Sequence, residues 1–513
     1  IVDGALAIVF GAEAMTAIIG LLIGNILGGI VMALHSAQGP RLGLPQMISS
    51  RVQFGVKGAA LPLVLVILMY VGFAATGTVL SGQAINLMFG FHSPAAGIII
   101  FGALTALVVS ALIAAGIFSL PQNMAASAGA GAIMIGWGIT FVGMLMLAFV
   151  FQTLANRKPE VEGGVYGYAR AGFGPYIGFN SAWGYWISAW IGNVSYFVVM
   201  FSAFGSFSSL SFFGEGNTGW AILCASILLW LLTWLIFNGV QSATFINTLT
   251  TIAKLVPLAI FILVVIYGFQ VKTFSLDFWG SPALGSIMEQ VKSTMLVTVW
   301  VFIGIEGASV FSSRAQSMAD VGKATVIGFL FTIAILVAVS VLSLGIMPQH
   351  ELAALQNPST AGVLKAVVGE WGFALMNIGL IISVAGALLA WTLLAAEIVF
   401  LAGKDGTMPA FLGKTNAKGA PVNALLLTNG LVQLFLIITL FNGSAYLDLL
   451  LLATSMILIP YLLCALYAVK IAVRGEGYDG DLRAAGKDKL IALLGSVYGC
   501  WLLYAAGPKY LLL

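Results

Sequence analysis

The chain has 513 residues, 60% of them hydrophobic and 8% charged, with a mean hydropathy of +1.06. Soluble domains carry roughly 25% charged residues, so this composition excludes an ordinary soluble enzyme, a disordered chain and a nucleic-acid binder, and leaves a polytopic membrane protein. The net charge of +3 is too small to imply a polyanionic partner.

A helix needs ~20 apolar residues to cross the hydrocarbon core. In chain order, the runs that meet this are approximately 4–34, 58–90, 97–119, 127–154, 176–205, 218–240, 244–269, 293–313, 322–347, 366–402, 422–441, 444–472 and 488–507. They predict an all-α polytopic membrane protein with about 13 transmembrane helices. The runs at 4–34 and 366–402 are long enough to be kinked, tilted or extended beyond the bilayer. Cys224, Cys464 and Cys500 lie far apart in apolar runs, and His35, His92 and His350 form no ligand pair. No metal site and no cofactor is expected.

Lys and Arg concentrate in cytoplasmic loops. From residue 120 onward, alternate connections carry Arg157, Lys158 and Arg170; Arg314 and Lys323; Lys404, Lys414 and Lys418; then Lys470, Arg474, Arg483, Lys487 and Lys489. The intervening connections carry only Lys272, Lys292 and Lys365. This bias places loops 155–175, 313–323, 403–421 and 471–488 inside the cell. The first hundred residues conflict with it. Loop 35–57 holds Arg41, Arg51 and Lys57, so 58–90 ends outside, yet 97–119 must begin inside. The six residues between them cannot cross a bilayer. Three solutions stay open: a basic loop outside, a re-entrant run, or two modules joined in one chain.

Ionisable groups inside such runs need a reason. Glu306 sits between Gly304 and Gly307 in Trp300-Val-Phe-Ile-Gly-Ile-Glu-Gly-Ala-Ser. Glycines at this density favour an unwound middle. Unwound backbone at bilayer depth is tolerated only around a cavity or within protein. The reading is a substrate or proton site, against a glycine packing pair with a satisfied acid. Run 97–119 ends in Ser110-Ala-Leu-Ile-Ala-Ala-Gly116-Ile-Phe-Ser-Leu-Pro121, a weakened helix end whose free amides suit a carboxylate. Plain small-residue packing is the alternative there. In run 176–205, Tyr185, Ser188 or Ala189, and Asn193 share one helical face. They could line a polar cavity or make interhelical hydrogen bonds. Trp391 could supply an aromatic wall for a cation, while Glu397 is read as structural or gating. Glu13, Lys254 and Asp448 are further outliers.

From about Gly102 to Leu513 the chain resembles the amino acid–polyamine–organocation transporters, and within them the arginine/ornithine antiporters. The residues that carry this are Gly116-Ile-Phe-Ser-Leu-Pro-Gln-Asn-Met-Ala-Ala-Ser-Ala-Gly-Ala-Gly, Glu162-Gly-Gly-Val-Tyr-Gly-Tyr-Ala, Trp300 to Ser309, Trp391-Thr-Leu-Leu-Ala-Ala-Glu and Lys404-Asp-Gly-Thr-Met-Pro. The resemblance implies a five-plus-five inverted-repeat transporter fold, with broken first and sixth core helices around a midplane site. Those breaks fall on 110–116 and 300–309. It implies that amides at Ala114, Ala115 and Gly116 take the substrate carboxylate and that the Ile303 carbonyl takes the amino group. Trp300 would stack on the aliphatic chain, Tyr185, Asn193 and Trp391 would line the cavity, and Glu306 would act as a proton-linked or gating switch. Two glycines of the family pattern are missing in 110–116, where Ser110 and Ala114 stand instead. Alanine is the better helix former by ~1 kcal/mol per site, so that helix is expected to stay wound and to occlude the carboxylate site. The family has one helix more than the eleven counted here, so the antiporter core, 97–513, reads as truncated before its last helix.

Residues 1 to about 93 resemble the second and third helices of nucleobase–cation symporters, through Gly24-Asn-Ile-Leu-Gly-Gly, Ala33-Leu-His-Ser-Ala-Gln-Gly-Pro-Arg-Leu-Gly-Leu-Pro-Gln-Met-Ile and Ser50-Arg-Val-Gln-Phe-Gly. A chimera, with 1–96 as a separate two-helix segment, would explain the orientation conflict. The leading expectation is a multi-pass protein of the cytoplasmic (inner) membrane that exchanges arginine for ornithine, or lysine or a polyamine. The alternatives are a nucleobase–cation symporter and a non-transporting chimeric membrane protein. No catalytic constellation is present, so no enzyme is expected. The expected partners are a small cationic amino acid and the lipid bilayer, with a homodimer as an option and no nucleic acid.

Overall fold

In the computed structural model the described residues are 115–161, 163–238, 244–306, 318–416, 418–441 and 445–507. The runs at 4–34 and 58–90, the two-helix segment 1–96 and most of run 97–119, with Ala114, lie outside them. Every regular element among the described residues is helical. A 3-10 segment, Ala115–Ser119, leads into α1 (Leu120–Ser127). There follow α2 (Ala130–Arg157), α3 (Gly164–Phe173), α4 (Pro175–Gly205), α5 (Gly219–Phe237), α6 (Thr244–Gly268) and the short α7 (Val271–Ser275). Then come α8 (Ile287–Trp300), α9 (Met318–Ser343), α10 (Gln349–Ala353), α11 (Ser359–Val368), α12 (Glu370–Lys404), α13 (Val422–Ile438), α14 (Ala445–Arg474) and α15 (Leu482–Ala506).

Among the described residues, seven helices are long and apolar enough to cross a membrane: α2, α4, α5, α12, α13 with its 3-10 extension to Phe441, α14 and α15. Their bounds follow the hydropathy runs except where local chemistry overrides it. α8 begins at Ile287 rather than 293, because Ser286 caps it and Glu289 completes a reciprocal capping box. α15 begins at Leu482, because the Asp481 carboxylate accepts from the Arg483 and Ala484 amides. Run 366–402 is α12 apart from its first residues: Gly369, whose φ of +78° is a left-handed conformation, separates 366–368, the end of α11, from the helix that starts at Glu370.

α4 is the central post. Its most apolar window is 89% buried, against 39% for α5, α13 and α15. It packs on α3, α12, α13 and α14. The peripheral α5 instead turns Trp220, Leu223, Ile227, Trp230 and Trp234 outward. That three-to-four spacing forms one continuous apolar stripe, which suits acyl chains and would be costly in water.

The two ends of the bundle differ. At one, the Arg157 guanidinium lies 4.3 Å from the Tyr478 ring centroid and 3.7 Å from Asp488. Lys158 pairs with Glu476 at 2.9 Å, and Arg170 with Asp405 at 2.6 Å. Loops 155–175, 403–421 and 471–488 therefore share one end, as the positive-charge bias requires. Near the other end, α10 and α11 strap onto the 3-10 segment and α1: Gln349 Nε2 donates to the Ala125 carbonyl at 2.6 Å, Thr360 to the Phe118 carbonyl at 2.9 Å, and the Gln122 amide to Ser359 at 3.0 Å.

Candidate functional site

α8 stops at Trp300, and residues 301–306 continue as turns. Their amides bond three residues back (Phe302 to Val299, Ile303 to Trp300, Ile305 to Phe302), and Gly304 has φ +112°. That dihedral is open to glycine and strained for other residues, so the break predicted from Gly304 and Glu306 is present. Among the described residues, no backbone amide donates to the Ile303 carbonyl.

The 3-10 segment meets these unwound residues. A Cβ placed on Gly116 of the 3-10 segment would lie 2.6 Å from Trp300 Nε1 and 2.7 Å from its Cδ1. A Cβ on Gly192 of α4 would lie 3.2 Å from Trp300 Cη2. The indole therefore spans the gap between two glycines, 4% exposed, with the Tyr196 ring 5.8 Å away. Beside it is a cavity lined by Ser188, Ala189, Gly192, Tyr196, Trp300, Ile303 and Trp391. Its volume, as space open to the centre of a water molecule, is about 10 Å3. That is room for about one water.

Glu306, 2% exposed, lies at the far end of the unwound segment. The Tyr185 hydroxyl of α4 donates to its Oε1 at 2.6 Å. The Tyr461 hydroxyl of α14 and the Gly304 amide both donate to its Oε2, the amide at 3.1 Å. The carboxylate thus staples the broken helix to α4 and α14 with charge-assisted hydrogen bonds, the stronger class.

The structure brings together Gly116, Trp300, Ile303 and Trp391 at the cavity. Ala115 belongs to the 3-10 segment; 110–114 fall outside the described residues, so the expected wound helix is traceable only from Ala115, and from there to Ser119 it is 3-10. Tyr185 is turned to Glu306. Asn193 donates to Thr392, next to Trp391, at 3.4 Å. Sequence reading missed Gly192, Tyr196 and Tyr461. The first two extend the stripe 185, 188/189, 192, 196 by three- and four-residue steps. Tyr461 follows Pro460, a polar group after a helix-interior proline in an otherwise apolar run.

Residues 99–508 match the family model described as amino acid permease. The chain belongs to the amino acid permease family. Residues 1–192 also match a model described as permease for cytosine/purines, uracil, thiamine, allantoin. The chain is 60% identical over 420 residues to the arginine/ornithine antiporter of Pseudomonas aeruginosa, which covers 80% of this chain and 87% of that protein. It is 47% identical over 414 residues to a putative arginine/ornithine antiporter of Escherichia coli K12 (80% and 88%). It is 45% identical over 417 residues to the arginine/agmatine antiporter of Chlamydia abortus (80% and 86%). The chain is therefore a multi-pass membrane permease, and its site has to bind and release a solute with no covalent chemistry. Two of the family-like stretches quoted from the sequence meet away from the cavity: Tyr166 hydrogen bonds to Asp405 and Thr407, beside the Arg170–Asp405 pair.

Proposed function

We propose that the chain is a secondary antiporter that exchanges cationic amino acids, arginine for ornithine, across the cytoplasmic (inner) membrane by alternating access. Lysine and agmatine-like amines belong to the same chemical class. The observation that carries the reading is the meeting of the 3-10 segment 115–119 with the unwound residues 301–306 at Trp300, beside a cavity that no carboxylate of the described residues lines. In this reading, amides at Ala114 to Gly116 take the substrate carboxylate and the Ile303 carbonyl takes its amino group. The aliphatic chain stacks on Trp300. The cationic end meets the Trp391 and Tyr196 rings and the Ser188 hydroxyl, and a desolvated aromatic face attracts a cation by about 2 kcal/mol. Asn193 holds the α12 wall through Thr392. Glu306 links movement of the unwound segment to α4 and α14. Arginine and ornithine each carry +1, so one-for-one exchange moves no net charge and needs no membrane potential.

Counterflow in liposomes tests this. Labelled arginine enters when ornithine is inside, and does not when the interior is loaded with glutamate. Replacing Trp300 by Ala is expected to lower the initial rate at least tenfold, because the stacking surface is lost. Uptake that ignores internal ornithine overturns exchange.

A second reading rests on the match of residues 1–192 to the nucleobase permease model. Uracil uptake driven by a sodium or proton gradient, with no arginine counterflow, would establish it. Within the antiporter reading, 1–96 form a separate segment that contributes nothing to the site. A chain lacking 1–96 is then expected to keep counterflow within about threefold of the full chain, a change smaller than one hydrogen bond makes. Complete loss with intact membrane insertion would tie that segment to the transport core.

A further inference from the structure

Several cations at the basic end of the bundle are paired within the chain. Arg157 pairs with Asp488, Lys158 and Arg474 with Glu476, and Arg170 with Asp405, while Lys470 donates to the Gly172 carbonyl. The first two turns of α15 differ. Arg483, Lys487 and Lys489 are exposed, and among the described residues no carboxylate lies within ion-pair distance of them. The acid of the same turn, Asp488, faces the other way, 3.7 Å from Arg157 of α2. Steps of four, three, four and three residues lead from Arg483 through Lys487 to Leu490, Leu494 and Val497, so these five share one helical face. The apolar three are 60%, 46% and 67% exposed, whereas Ala492, Gly495 and Gly499 on the reverse are buried. The face turns from cationic to apolar over about 4.5 Å, the helical rise from Lys487 to Leu490. A bilayer makes the same change where its headgroups meet the acyl chains.

That pattern selects the occupant. An acidic soluble protein would meet the cations but not the leucines, which belong to a membrane-crossing span. A second copy of the chain inserts in the same orientation. A two-fold contact through this face would set Arg483 and Lys487 against their own counterparts at equal depth, a like-charge pairing. A zwitterionic lipid satisfies the leucines, but its phosphate already has a cation of its own. We propose that Arg483, Lys487, Leu490, Leu494 and Val497 form a binding site for an anionic glycerophospholipid of the leaflet at that end. The guanidinium and the ammonium pair with its phosphate, and an acyl chain lies along Leu490 to Val497. Arginine can grip a phosphate through two parallel N–H bonds. Lysine keeps its methylenes on the apolar side while its ammonium reaches the headgroup.

Lys489 supplies the control. It is cationic and exposed like Lys487, but two residues on, about 160° away around the helix axis. The experiment is native mass spectrometry of the full chain in detergent, titrated with phosphatidylglycerol and, in parallel, with phosphatidylcholine. Phosphatidylglycerol is expected to bind at least about fivefold more tightly. Lys487→Gln should weaken it about fivefold, the effect of one cation near an anionic surface, and leave phosphatidylcholine within about twofold. Arg483→Gln should act alike, which keeps the test open if one variant misfolds. Lys489→Gln should change neither lipid by more than about twofold. Equal losses from Lys487→Gln and Lys489→Gln would mean diffuse attraction to surface charge and overturn the site. Phosphatidylglycerol that binds no better than phosphatidylcholine overturns it too, whatever else covers the face. Cysteine trapping separates a lipid from a second copy. Leu494→Cys, in a chain that also carries Cys500→Ser, should stay uncrosslinked under oxidant in phosphatidylglycerol liposomes; a crosslinked pair hands the face to a second copy. Neither readout involves arginine or ornithine, so failure of the antiporter reading leaves the lipid site standing, and the reverse.

Discussion

Replacing Glu306 by Gln is expected to lower arginine–ornithine counterflow roughly 100-fold while arginine binding stays within about threefold. The asymmetry follows from position. Glu306 does not line the cavity, so the substrate contacts survive. Its carboxylate instead accepts from Tyr185 on α4, from Tyr461 on α14 and from the Gly304 amide. Glutamine can keep an acceptor for Tyr185. Its amide nitrogen then faces Tyr461, whose hydroxyl can turn and accept from it, and the Gly304 amide, a pure donor that is left without a partner. A hydrogen bond to a charged group contributes about 1.5–3 kcal/mol, and a stranded buried donor costs about 1–3 kcal/mol. Losses of that size on a link between moving elements correspond to about two decades of rate. Tyr185→Phe and Tyr461→Phe each remove one donor and are expected to cost less than Glu306→Gln, with the double variant falling short of the sum of the two, because both act through one carboxylate. Counterflow on proteoliposomes and calorimetric binding in detergent measure the two quantities separately. Binding that falls in step with transport would place Glu306 in the substrate contact set and end the gating role.

Gly116→Ala is expected to weaken arginine binding at least tenfold, and Gly192→Ala by no more than about threefold. Both glycines border the same indole, so chemistry alone does not separate them. Distance does. A methyl at Gly116 would lie 2.6 Å from Trp300 Nε1, well inside van der Waals contact, and also 3.1 Å from Val301 Cγ1. At Gly192 the nearest atom would be 3.2 Å away, which a few tenths of an ångström of movement relieves. Overpacking of the first kind costs typically about 1–3 kcal/mol. The indole cannot yield towards α4, where Gly192 closes the other side. Equal effects from the two substitutions, or none from Gly116→Ala, would show that Trp300 sits elsewhere when substrate binds. The comparison also bears on the alanines of 110–116. Glycine is kept at the one position of the described 3-10 segment where the indole leaves no room for a methyl.

Much of the architecture was legible before any coordinates. Partition into the bilayer is close to a sum over neighbouring residues, so runs such as 176–205 and 218–240 mark their helices to within a few residues. The charge bias is also a local property, and the loops in which it put Arg157, Lys158, Arg170 and Arg474 do share one end. Gly304 announces its break, because a glycine two residues from an intramembrane acid lets the backbone leave the helix without a side-chain clash and turn an amide towards the carboxylate. Bounds slipped at Ser286 and Asp481, where a polar cap extends a helix beyond its apolar run. They slipped again at Gly369, where the first residues of run 366–402 belong to the preceding helix.

Which side chains meet was a different matter. A helix apolar on every face carries no periodicity to say which face turns inward. The stripe on α4 could be drawn from spacing, but not its division of labour. Tyr185 goes to Glu306, while Ser188, Gly192 and Tyr196 go to the cavity. Tyr461 reaches Glu306 across 155 positions, and Trp300 is wedged between residues 184 positions before it and 108 positions before it, at Gly116 and Gly192. The amino-acid order alone determined that the chain lives in a bilayer, where its helices run and that one of them is interrupted beside an acid. The rotation and tilt of packed helices decided the packing of Trp300 between two glycines and the stapling of Glu306, because contacts between distant segments depend on how whole surfaces interlock and on no property of either segment alone.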